Sequence, residues 1–206
     1  MSSVSTRPYT VLDVDAHLLD ERLGELELAY CAAFGGAPWC EDVGESRNFV
    51  LRLLAHAQAP GFRCRLAIET RTGRLLGFAY GLATRDPGTD PWAAPLAIGL
   101  GPAFTAKVLA GAFQLAELAV WPTARRQGIG GCLHDSLLDA LPQDRAWLLT
   151  SPQAEAAVAL YQARGWRPAA TVVVPGRAMA RTVMALDVPR TSAGTTMRPH
   201  PSTPDW

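Results

Sequence analysis

One segment constrains this chain more than any other: ARRQGIGGCLHDSLL, residues 124–138. Two arginines lead into Gly128, Gly130 and Gly131, and the glycines open directly onto a helical apolar pattern. A glycine costs a helix about 1 kcal/mol relative to alanine, so this helix start is locally unfavourable. The preceding FQLAELAV (residues 113–120) reads as a strand, and Pro122, which cannot continue a central ladder, marks its exit. Strand, bare turn and helix in succession describe an anion site. A helix start exposes unpaired N–H groups and a partial positive charge, and without side chains in the way an anion can touch them. Arg125 and Arg126 add two charges at the mouth.

Three phosphate sites share this outline. A Walker loop needs Gly-Lys-Ser/Thr, which is absent. A dinucleotide fingerprint needs a glycine where Leu133 stands, within a parallel βαβ pattern that is weak here. The third is an acyl-coenzyme A loop. A tight strand-to-helix turn with no ligand is the plain structural alternative.

The chain around it has 206 residues, 49% of them hydrophobic, enough for one domain with a real core. Its formal net charge is zero, which argues against nucleic acid as a partner. The charge is unevenly spread: nine acidic residues and one basic residue, Arg22, lie between Asp13 and Glu45. Cys31, Cys40, Cys64 and Cys132 have no CxxC spacing, and no metal-ligand spacing appears. No basic-plus-apolar leader and no run of membrane-span length is present. The expectation is a reduced, cytoplasmic protein with free thiols, no metal and no membrane partner.

Periodicity orders the elements. YTVLDV (9–14) reads as a first strand, with Asp15 as a cap for a helix carrying Leu19, Leu23, Leu26, Tyr30 and Phe34 on one face. FGGAP (34–38) breaks it, and a second helix is expected from near Ser46. Phe62, Cys64, Leu66 and Ile68 alternate along a strand, and RTGR (71–74) turns it back. The return strand alternates Leu76, Phe78, Tyr80 and Leu82 with Gly77, Ala79, Gly81 and Ala83, a bulky face and a bare one that something can approach closely. Residues 85–112 read as an irregular segment with a short helix. After the glycine helix, to about Leu141, come a fifth strand (145–151), a helix capped by Ser151, and a last hairpin from TVVVPG and ARTVMALDV. Hairpins outnumber crossovers. The expected fold is α/β (α+β): a mixed, mostly antiparallel six- to seven-stranded sheet flanked by helices. Residues 7–189 form the expected domain, with tails at 1–6 and 190–206.

Arg125-x-x-Gly128-x-Gly130 after ELAVWP resembles the Q/R-x-x-G-x-G/A signature of the GNAT acetyltransferases. LYQARGW (160–166) resembles the family's second motif, L-Y-x-x-x-G-F. The resemblance implies the GNAT fold with splayed fourth and fifth strands, and acetyl-CoA as cosubstrate in the gap between them. Backbone groups of Leu118, Ala119 and Val120 would meet the pantetheine arm. Amides of Arg126, Gln127, Gly128, Ile129, Gly130 and Gly131 would hold the pyrophosphate, with Arg125 and Arg126 near the phosphates.

It also implies roles at the reaction end. Tyr161 matches the position whose hydroxyl lies near the thioester sulfur and can protonate the leaving thiolate; its plain alternative is an aromatic on a core helix face. Glu117 is the candidate base, directly or through water; its plain alternative is a sheet glutamate paired with an arginine. Two departures stand out. The fifth strand, WLLTS, has no carboxylate, and Ala154 stands where many relatives have asparagine, so that its polar contact is supplied by Thr150 or Ser151 or is missing. His17, His56 and His134 read as surface or structural.

The expected acceptor is a primary amine, a small cationic molecule first and a protein N-terminus or lysine second. Trp39 and Glu41 in the 34–45 loop would form one wall, and Tyr80 and Trp92 the other. A non-catalytic acyl-CoA-binding module is the rival reading. A homodimer is compatible with the chain.

Overall fold

The computed structural model describes residues 7–90, 93–173 and 180–188. In chain order the elements are β1 (Tyr9–Asp13), α1 (Ala16–Glu21), α2 (Leu23–Phe34), α3 (Val43–Ala57), β2 (Arg63–Glu69), β3 (Leu75–Ala83), α4 (Ala94–Leu100) and α5 (Pro102–Phe104). A single π turn (Thr105–Leu109) leads into β4 (Phe113–Val120), a 3₁₀ turn (Pro122–Ala124), α6 (Ile129–Leu138), β5 (Arg145–Thr150), α7 (Glu155–Gln162), β6 (Arg167–Val172) and β7 (Arg181–Asp187).

The seven strands form one sheet in the order β1-β2-β3-β4-β5-β7-β6. All its pairs are antiparallel except β4 with β5. A parallel pair needs a crossover, and α6 provides it. This pairing is short: Phe113, Gln114 and Leu115 align with Ala146, Trp147 and Leu148, and then the strands part. A bulge sits where they part. Tyr80 pairs with Glu117 and Gly81 with Leu115, so Ala116 is an extra residue on β4. A bulge bends its strand, and here it turns the rest of β4 away from β5.

Two cores sandwich the sheet. Ile129, Leu133 and Leu137 of α6 pack with Ala79, Leu115 and Leu148 on one face. On the other, Leu26, Tyr30, Phe49 and Leu53 from α2 and α3 pack with Leu66, Phe78 and Tyr80. Trp147 anchors a smaller cluster with Leu96, Leu109 and Val183, its indole N–H donating to Thr84 Oγ1 at 2.9 Å.

Several local expectations shift. The helix read through Leu19 and Phe34 is two helices, broken at Arg22, whose N–H turns back to Leu19 and Asp20. The next begins at Val43 rather than near Ser46, because Asp42 caps it by accepting from the Glu45 amide at 3.0 Å. Ser151 does not cap α7. It accepts from the Gln153 amide within a separate turn, and the helix starts later, at Glu155. The glycine helix stops at Leu138 rather than at about Leu141, and β6 starts at Arg167, before TVVVPG. On β3 the alternation breaks at a second bulge. Ala67 pairs with Gly77 and Ile68 with Leu75, so Leu75 joins Phe78 and Tyr80 while Leu76 faces the α6 side. The close approach expected on the bare face of β3 is made by α6, whose Leu133 lies 3.3 Å from where a Cβ on Gly77 would stand, while β4 closes in from the side with the Ala119 carbonyl oxygen at 2.6 Å. The expected tails and Trp92 lie outside the described residues.

Candidate active site

The divergence of β4 and β5 opens a cleft of about 560 Å³. Residues 115–120 of β4 and 148–150 of β5 form its sides, the start of α6 one end, and Leu160 and Tyr161 of α7 its floor. Ala37, Pro38 and Trp39, from the α2–α3 loop, complete the wall.

The α6 end is built to expose backbone. Gly128 is the N-cap, in the left-handed region with φ +78°, where a side chain is strained. The first backbone bond back to this turn is from the Cys132 amide to the Gly128 carbonyl, 3.1 Å, so the N–H groups of the first helical turn are left for a ligand. Gly130 differs from Gly128: a Cβ there would make ordinary 3.7 Å contacts with Leu118, Val120 and Leu160. Packing therefore tolerates a Cβ, and what the missing side chain leaves open is part of the cleft that Gly130 lines.

Both arginines line the cleft, but they are held differently. Arg125 is a clamp, its Nε donating to the Val120 carbonyl at 3.3 Å and Nη2 to the Ala33 carbonyl at 3.2 Å, which ties α2 to the end of β4. Arg126 lines the cleft with φ +65°. Gln127 is exposed at the loop, and Gly131 is buried against the Arg164 guanidinium.

At the other end Tyr161 is buried and lines the cleft. Burial, and then the charge of Glu117, push its hydroxyl above the ordinary range, so it is protonated at neutral pH and available as a donor. Glu117 lines the same cleft and forms an ion pair with Arg52 of α3, Nη2 to Oε1 2.6 Å. Burial is the largest influence on Arg52 and opposes its charge, but Glu117, Tyr80 and Tyr30 together outweigh it and keep the guanidinium protonated. The sheet-glutamate-with-arginine reading is therefore present in the structure, in the same place as the candidate base. Thr150 and Ser151 are both buried beside Ala154.

The acceptor-wall residues scatter. Trp39 reaches the cleft, edge-on to Phe34 at 5.4 Å, with the Arg181 guanidinium 4.9 Å above its ring. The Glu41 carboxylate accepts from the Tyr30 hydroxyl at 2.5 Å. Tyr80, expected at the wall, is instead fully enclosed in the core beneath α3, with its hydroxyl 3.3 Å from His56 Nδ1. The register explains this: Tyr80 lies opposite Glu117, on the face that α3 covers.

Arg52, Tyr30 and His134 were not read from the sequence as site residues. Arg52 carried a signal: three residues from Phe49 and four from His56, it borders the buried stripe of α3. His134 carried little, since one histidine on a helix does not reveal its neighbours. His17 is exposed, whereas His56 and His134 are buried.

Burial pushes His56 down to about 4; Asp90 resists the fall and Arg52 adds to it. The unfolded chain takes up this proton near pH 6.5, the native one only near 4. The neutral ring thus stabilises the fold fully above pH 6.5, and that contribution, roughly 3 kcal/mol, drains away as pH falls towards 4. His56→Asn should flatten the decline of the melting temperature between pH 6.5 and 4, measured by calorimetry. An unchanged slope would show that other groups set it; His134, also lowered by burial, leaves a residual slope of the same sign.

A bulged strand parting from its parallel neighbour over a side-chain-free helix start defines the class of the acyl-coenzyme A N-acyltransferases. The model of the acetyltransferase (GNAT) family matches residues 37–166, and the chain belongs to that family. Among solved structures, a protein of the GNAT family from Desulfovibrio desulfuricans is similar at 17% identity, over 87% of this chain and 100% of that one, with a TM-score of 0.60. The ribosomal-protein-S18-alanine N-acetyltransferase of Escherichia coli is similar at 20% identity, over 92% and 98%, with a TM-score of 0.57. Arabidopsis thaliana NAA60, solved in complex with acetyl-CoA, is similar at 13% identity, over 87% and 98%, with a TM-score of 0.55. These likenesses are of fold. No curated protein sequence matches the chain. Among the described residues no helix is long and apolar enough to cross a membrane, and no cluster of three metal-ligating side chains occurs.

Proposed function

We propose that this enzyme transfers the acetyl group of acetyl-CoA to the primary amine of a small molecule, directly, within a ternary complex. One observation supports the reading above the others: a single cleft holds the open edge of β4, the bare start of α6 and Tyr161. The set fits the coenzyme, with amides for its diphosphate, strand edge for the pantetheine arm and a protonated phenol for its sulfur. The bound thioester supplies the acyl group.

Three jobs fall to the chain's own residues. An alkylammonium has a pKa near 10, so the acceptor must lose a proton before attack. Glu117 takes it, directly or through one water, with Arg52 holding the carboxylate in place. The amide of Val120 or a neighbour polarises the carbonyl as negative charge builds. Tyr161 donates its proton to the departing sulfur. No cysteine is needed as an acyl carrier in this scheme.

The charges refine the acceptor. Arg52 offsets Glu117, Tyr30 engages Glu41, and Arg181 covers Trp39. One ammonium meeting Glu117, with an apolar body against Trp39, fits this balance better than a polycation. Free-thiol release from acetyl-CoA should therefore be fastest with arylalkyl and alkyl monoamines, in a panel that includes polyamines, aminoglycosides, amino acids and peptide N-termini. Turnover with peptides alone would overturn the small-molecule reading. Coenzyme binding without turnover for every amine would favour a non-catalytic module.

A further inference from the structure

Tyr161 stands between two other rings. His134, from α6, and Trp166, just past α7, have centroids 6.3 Å and 5.9 Å from the phenol ring, and 6.0 Å from each other. The two are bonded: the Trp166 indole N–H donates to His134 Nε2 at 2.8 Å. An indole only donates, so Nε2 is the acceptor and Nδ1 carries the imidazole proton. Nδ1 donates to Asp135 Oδ1 at 2.8 Å. Arg164 grips Asp135 in turn, Nε to Oδ1 at 2.6 Å and Nη2 to Oδ2 at 3.1 Å.

Both nitrogens of a ring only 4% exposed are thus committed. Two directed bonds fix the plane of the imidazole, which packing alone does not. The helix that carries His134 is also the helix whose first turn forms the anion cradle. Through this network one helix sets both ends of the cleft: the amides at its start and, five residues beyond Ile129, the wall against Tyr161.

We propose that His134 is a positioning residue for acetyl transfer, locked between Asp135 and Trp166 so that the Tyr161 ring is held at a set place relative to the start of α6. The inference rests on the reading of Tyr161 as proton donor. Displacement of a catalytic group by a fraction of an ångström is costly because the reacting geometry is narrow. Neither Asp135 nor Arg164 need touch substrate for their loss to be felt.

His134→Phe keeps a ring in the slot and removes both bonds. It is expected to lower kcat about 10-fold, with KM for acetyl-CoA changed less than about twofold because the amides of the first turn are untouched. His134→Gln, whose amide oxygen can accept from Trp166, should recover most of the loss. Asp135→Ala, at a position with a well-exposed side chain, frees Nδ1 without opening the core and should cost about threefold; it keeps the idea testable if the phenylalanine variant folds poorly. The deciding measurement repeats His134→Phe and Asp135→Ala in a Tyr161→Phe background. With no hydroxyl to place, neither substitution should lower kcat further. Losses that multiply in full would make the network purely structural and overturn the proposal. Should Tyr161→Phe alone leave kcat unchanged, the proton-donor reading itself would fall, an outcome distinct from failure of the His134 step.

Discussion

Gly130→Val is expected to remove coenzyme binding while leaving the fold in place. The argument is geometric. Gly130 has no positive φ to strain, and its first added carbon would make only ordinary 3.7 Å contacts. The two methyls beyond it enter the cleft that Gly130 lines with Leu118, Val120 and Leu160, beside the first turn of α6 where a diphosphate would meet N–H groups. A hydrogen bond to a charged group contributes about 1.5–3 kcal/mol. Losing two of them weakens binding by roughly 10²- to 10⁴-fold. Isothermal titration with CoA reads this directly, and a thermal melt within a few degrees of the parent confirms that the fold survived. Gly128→Ala is the contrasting variant: its φ of +78° adds about 1–2 kcal/mol of backbone strain, so it should melt earlier and bind only moderately worse. If Gly130→Val took up CoA like the parent, the diphosphate would lie elsewhere and the assignment of the cleft would fail.

Tyr161→Phe is expected to lower kcat roughly 100-fold, at the lower end of what a positioned general acid contributes. The substitution deletes one oxygen from a buried ring and leaves the contacts with His134 and Trp166 intact. Coenzyme affinity should be unchanged within about twofold, since the proposed diphosphate cradle lies at the opposite end of the cleft. The sharper test varies the leaving group. An acetyl thioester of a more acidic thiol departs without help, so the gap between parent and variant should narrow with such a donor. A loss below about threefold with acetyl-CoA, or a gap that ignores thiol acidity, would assign the tyrosine to packing instead.

Much of the architecture was legible along the chain because it is written in local periods. Strand β4 was read at its observed bounds from the alternation of FQLAELAV and the proline after it, and the bare helix start followed from three glycines. Errors gathered where a single residue decides. Asp42, not Ser46, starts α3, and Arg22 splits what an unbroken apolar stripe made look like one helix. Both bulges escaped notice, because an extra residue leaves composition untouched and is visible only against a partner strand. Yet the bulge at Ala116 is what parts β4 from β5, and the bulge near Leu76 decides which core that leucine joins.

The candidate site divides along the same line. Gly128, Gly130 and Tyr161 stood out because backbone exposure and a short motif are local properties, set by residues close together in the chain. The partners of Glu117, Tyr80 and Tyr161 were not local: Arg52 lies 65 residues from Glu117, and His134 lies 32 from Trp166. What the amino-acid order alone determined was a strand running into a naked helix start, and with it the family and the proposed place of an anion. What tertiary structure alone decided was the charge balance at the far end of the cleft and the frame around the phenol. Those depend on which distant side chains the sheet register and helix packing bring within hydrogen-bonding distance, and no pattern along one segment records that.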